Sequence, residues 1–148
     1  MGQNLDHVVR TGRLYLDALR KVVPEAVERA AAGRPPLRPG WLGNYMVRSM
    51  EPPPKLKVRT FRRLQPPARH DRDEVLGAFE AMHRELVAEA RRTGDAGWHG
   101  ARMRSPFFPL LRLTPGQAFA VLAAHGRRHL WQAREVTKAA GFPAGPAE

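Results

Sequence analysis

LTPGQAFAVLAAHGRRHLWQAREV, residues 113–136, is the stretch on which the fold turns. It reads as one long helix with a marked start. Thr114 is suited to cap it, Pro115 to the first helical position, and Gln117 completes a capping-box pattern. Ala118, Leu122, His125, His129, Gln132 and Val136 recur at intervals of four and three, so they share one inward stripe. His125 and His129 stand one turn apart and point the same way. Two readings of the pair are open at this level. One is a hydrogen-bonded, half-buried couple. The other is a two-imidazole grip on one divalent metal, completed by further groups. Gly126 costs the helix about 1 kcal/mol relative to alanine, which is easiest to understand if a neighbouring element approaches closely there. Arg127 and Arg128 flank the pair, with Trp131 and Gln132 on the next turn.

Working outward, residues 94–113 read as a connection through GWHG and SPFFPLLRLT, with His99 structural or incidental. Residues 71–92 form a second clear helix. Asp71 or Asp73 starts it, a full apolar stripe runs from Val75 to Ala90, and Thr93 and Gly94 end it. His83 falls on that stripe, as a core histidine by default and a reserve ligand otherwise. Residues 33–70 are a long Pro-rich connection. Trp41 to Met50 is expected as a short helix within it, and Lys55 to Leu64 as an extended piece without a strand partner. A connection of this length is usually functional or an excursion over the surface. Residues 2–32 read as a helix whose apolar pattern is already running at Leu5. Pro24 kinks it or begins a second segment, and Gly33 ends it. No convincing sheet is expected. The class is all-α, a helical bundle over residues 1–140 with a flexible tail at 141–148. A third histidine, His7, lies near the inner border of the first helix. Helices packed about 8–10 Å apart would let it meet the other two.

Composition narrows the chemistry. The chain has 148 residues, enough for one domain, and 43% of them are hydrophobic, which excludes a disordered class. There is no cysteine, so disulfides, thiolate metal sites and cysteine nucleophiles are excluded. Residues 1–13 are polar and helical-looking and no run of 18 apolar residues occurs, so neither a signal peptide nor a membrane span is expected and a cytoplasmic protein is the expectation. The net charge of +11 comes from 25 basic residues that are scattered and accompany no recognised motif. That weighs against a specific nucleic-acid role.

The helix reading QNLDHVVRTGRLYLDAL, with His7, and the much later AHGRRHLWQ, with His125 and His129, together resemble the DinB-like superfamily. SPFFPLLRLTPGQAF is similar to the segment that leads into that family's last helix. The group includes bacillithiol S-transferases, mycothiol-dependent maleylpyruvate isomerases and many bacterial proteins. The resemblance covers nearly the whole chain. It implies an up-down-down-up helical bundle holding one divalent metal, zinc or nickel, on His7, His125 and His129. Open positions would take water, a small-molecule substrate or a low-molecular-weight thiol, bound as thiolate. The implied chemistry is that of a metal-dependent thiol S-transferase or hydrolase.

One feature departs from the family. A helix normally precedes the one bearing the first histidine, and here Met1 stands six residues before His7. Three long helices plus short connecting ones are therefore expected, with an apolar face left uncovered. A start upstream of Met1 is the favoured explanation. The others are cover by another subunit, as in a homodimer, and degeneration. Around the site, Tyr15 and Gln132 are expected to line a pocket. Asp6, Arg127 and Arg128 are expected to face solvent, the arginines having a second role available in binding an anion. The competing function is a non-catalytic basic helical bundle that binds nucleic acid or a partner protein.

Overall fold

The computed structural model describes residues 2–54, 64–67, 71–98 and 101–142. They form an all-α bundle of three long helices and one short one: α1 (Gly2–Ala31), α2 (Trp41–Met50), α3 (Arg72–Thr93) and α4 (Pro115–Thr137). α1 continues past Pro24 as one helix. Val22, Val23 and Ala26 are buried on either side of it, while Pro24 itself is exposed. On that side water can satisfy the carbonyl that lacks a helical donor, and burial of the opposite face holds the helix together.

α3 begins at Asp71, whose side chain accepts a hydrogen bond from the Glu74 N–H at 2.9 Å. It packs closely against α1 at Gly12, where an added Cβ would stand 2.5 Å from the Met82 sulfur. Beyond that contact Glu85 accepts from both Arg13 and Arg20 of α1.

The start of α4 is tied both to itself and to α2. The Thr114 hydroxyl accepts from the Gln117 N–H at 3.2 Å, and the Gln117 side-chain Oε1 accepts from the Thr114 N–H at 3.3 Å. The amide nitrogen of the same Gln117 donates to the Gly40 carbonyl and to Asn44 Oδ1, each at 2.9 Å. Gln117 is buried, and its amide is satisfied at both ends. Gly43 lets α2 come this near, because a Cβ there would collide with the Gln117 side chain at 2.5–2.9 Å.

The connection at 94–113 departs from the expected wandering loop. A short 3-10 helix (Gly94–Trp98) is followed by two-residue strands, β1 (Met103–Arg104) and β2 (Arg112–Leu113). They pair antiparallel, Met103 opposite Leu113 and Arg104 opposite Arg112. Alternation sends the apolar pair inward and the arginines outward. Ala101, Met103, Leu111 and Leu113 thereby join Tyr15, Leu19 and Val23 of α1 and Ala118 and Val121 of α4 in the core. Seven intervening residues, Pro106 and Pro109 among them, hid this pairing in the sequence.

Three local expectations are corrected. His83 is exposed and stacks on Phe79, so it is no core histidine. Gly126 answers to no close neighbour, because a Cβ there would meet nothing within 4 Å. The inward stripe of α4 is buried at Ala118 but emerges at Val136, which is 48% exposed. Residues 55–63 of the expected extended piece, His99 and residues 143–148 of the expected tail lie outside the described residues.

Among the described residues a largely apolar groove of about 870 Å³ lies between the first turns of α1, the start of α3 and the later half of α4. Leu76 and Leu130, both exposed, line it. Among the described residues no helix is long and apolar enough to cross a membrane.

Candidate metal centre

α1 and α4 pack against each other, and their stripes bring His7, His125 and His129 together. One ligating nitrogen from each lies within 4.8 Å of the others. Ring centroids are 5.3 Å apart for His7–His125, 4.9 Å for His7–His129 and 4.4 Å for His125–His129. The group has these three members and no carboxylate among the described residues. His83, the reserve ligand, is not part of it.

The outer nitrogens are fixed by the surroundings. His7 Nδ1 lies 3.2 Å from the Leu64 carbonyl, which can only accept, so that nitrogen carries the proton. Asn4 donates from Nδ2 to the His129 carbonyl at 3.1 Å, and its Oδ1 accepts from His129 Nδ1. In both rings Nε2 is then the bare nitrogen. A second hydrogen bond of this kind is what orients a metal-binding imidazole. The Nε2 atoms of His125 and His129 are 3.0 Å apart. Two nitrogens held at about 2.05 Å by one ion stand about 3.3 Å apart in tetrahedral geometry and about 2.9 Å at an octahedral right angle. The observed spacing lies between the two, so the His125–His129 pair fits a divalent ion, with a ligand nitrogen of His7 within 4.8 Å of both.

Charge points the same way. Burial above all, then His129, His7 and Arg128, push the pKa of His125 down to about 3. Burial, then His7 and Arg128, push that of His129 down to about 4. Both rings are neutral at pH 7 and offer lone pairs without first losing a proton.

Beside the histidines lies a cleft of about 150 Å³. Met46 and Met50 of α2 wall one side, and Phe107 and Phe108 of the β1–β2 segment another. The Pro-rich connection thus has a role, since it carries α2 to the site. Arg127 pairs with Glu51, and Arg128 donates to the Ser49 carbonyl at 3.2 Å, which tacks α4 to the end of α2. Tyr15 and Gln132 line the cleft as expected. Arg128 lines it too, whereas Arg127 is exposed and Asp6 is paired with Arg10. Burial pushes the Tyr15 phenol up, partly offset by its hydrogen bond with Ser105, so it stays protonated.

Two residues escaped the sequence reading. Asn4 orients His129, and Thr11 lines the cleft with a buried hydroxyl that has no hydrogen-bond partner. The signal was there, because Asn4, His7, Thr11 and Tyr15 recur at intervals of three, four and four on one face of α1.

A family profile described as the DinB superfamily matches residues 1–133. No curated protein and no solved structure shows a significant match to the chain.

Proposed function

The chain belongs to the DinB superfamily, and on that premise we propose that it is a metal-dependent enzyme whose ion is held by His7, His125 and His129. The observation that supports this most is the tethering of His7 and His129 through Nδ1, which leaves their Nε2 atoms bare beside His125. Among the described residues the group has three protein ligands and no fourth, the pattern of a catalytic ion, since a structural site is closed by a fourth protein group. Zinc and nickel both suit three imidazoles. Such an ion supplies Lewis acidity, which lowers the pKa of the protic group it holds.

Thiol transfer is favoured over hydrolysis. Activation of a water commonly calls on a nearby carboxylate as general base, and no Asp or Glu lines the cleft among the described residues. A low-molecular-weight thiol has an intrinsic pKa near 8.5 and needs only a modest push. The chain's own part is then to bind and orient. Asn4 and the Leu64 carbonyl hold the imidazoles, the apolar walls keep water from the reacting partners, and the buried Tyr15 keeps its proton at the phenol oxygen for donation.

Metal content of tag-free protein tests the proposal, alongside His7→Ala and His125→Ala. About one zinc or nickel per chain is expected, lost by at least tenfold in both variants. A folded wild-type chain that retains no metal after incubation with zinc or nickel would refute it.

A further inference from the structure

The metal-site reading leaves open what lies against the site, and the cleft carries an answer. Its volume, about 150 Å³, matches that of an apolar cavity that accepts one benzene ring. Its body is lined by Met46, Met50, Leu64, Phe107, Phe108 and Leu122. Aromatic edges and thioethers are surfaces on which a flat ring packs well. One end is polar and holds the three histidines and Thr11, with Arg128 also on the lining. Arg128 brings a guanidinium to the lining, and no lining residue is an aspartate or glutamate among those described. That end favours an anion.

Among the described lining residues, Thr11 is the one side chain with an unpartnered buried polar atom. It is 4% exposed, and a buried hydroxyl without a partner costs about 1–3 kcal/mol. It stands one helical turn after His7, on the same face. In a helix a threonine has two accessible χ1 rotamers, so its hydroxyl can turn to a newly arrived acceptor without disturbing the backbone.

From these observations, and resting on the metal-site reading above, we propose that the cleft binds a small aromatic anion. Its ring lies between α2 and the β1–β2 segment, its oxygen-bearing head meets the histidine site, and Thr11 donates a hydrogen bond to that head.

The probes are benzohydroxamate and acetohydroxamate, which share a metal-binding head and differ by the ring. Both are titrated calorimetrically into zinc-loaded full-length protein, with zinc content measured on the same samples. Benzohydroxamate is expected to bind at least about tenfold more tightly, as burial of a ring's apolar surface predicts. Thr11→Val is expected to weaken benzohydroxamate by about three- to tenfold, the worth of one hydrogen bond. Thr11→Ser, which keeps the hydroxyl, should stay within about twofold of the wild type. Zinc content should not change in either variant. Equal affinity for the two probes, or benzohydroxamate binding indifferent to Thr11→Val, overturns the proposal. Protein that takes up no zinc overturns the metal-site reading and this proposal together, and the zinc content tells that case from the other two.

Discussion

Two hollows meet at His129, and they differ in kind. The cleft of about 150 Å³ and the groove of about 870 Å³ are both lined by it. Both are largely apolar. The cleft adds converging polar groups and walls brought in from outside the long helices, by α2 and the β1–β2 segment. The groove runs between the helices with Leu76 and Leu130 at its edge and Gly126 facing open space. An apolar hollow by itself is what helices leave when a face is uncovered. A site arises where connecting segments close the hollow around groups with chemistry to do.

The difference is open to attack from several sides. The largest effect should come from acid acting on the metal-free protein. His125 and His129 have folded pKa values of about 3 and 4, against 6.5 for a free imidazole. As pH falls below 6.5 the unfolded chain takes up these protons first. Stability is therefore full above pH 6.5 and is lost as pH falls toward the folded values, by roughly 1 kcal/mol per pH unit for each ring. Urea midpoints between pH 7.5 and 5 measure this in a window above the carboxylate range. A flat profile there would mean that the cleft does not enclose the two rings.

Next in size is the hydrogen bond that reaches across from the groove side. Asn4 lines the groove, yet it holds His129 toward the cleft. Asn4→Ala should lower zinc affinity by about 10–100-fold in competition with a chelator. Unchanged affinity would show that the two hollows are not coupled through this residue.

The smallest effects contrast two glycines. Gly12 faces Met82 at the packed α1–α3 contact, so Gly12→Ala should cost about 1–3 kcal/mol in denaturant unfolding. Gly126 faces open space, so Gly126→Ala should stabilise by about 1 kcal/mol. The opposite signs would mark which surface is closed and which is open. Destabilisation by Gly126→Ala would instead mean that something covers the groove.

Much of this was legible in the chain. The ends of α1, α3 and α4 could be read within a residue or two, because caps and helical periodicity are local. The His125–His129 pair was legible for the same reason. His83 was misread because periodicity gives a face of a helix without saying how far its neighbour extends. Gly126 was misread because a missing side chain leaves the same mark in sequence whether a neighbour is near or absent. β1 and β2 went unseen because two residues carry too little alternation to stand out.

The sequence by itself determined the helices, their apolar stripes, the capping box at Thr114 and the face of α4 on which two imidazoles sit, all of which depend on neighbours within one or two turns. The tertiary structure alone decided that His7 meets His125 and His129 across separations of 118 and 122 residues. It also decided that Asn4 and a backbone carbonyl at Leu64 fix two of the rings, and that a Pro-rich connection walls the cleft. Contacts of that kind depend on how helices pack, and packing is settled by the fit of whole faces rather than by any short pattern along the chain.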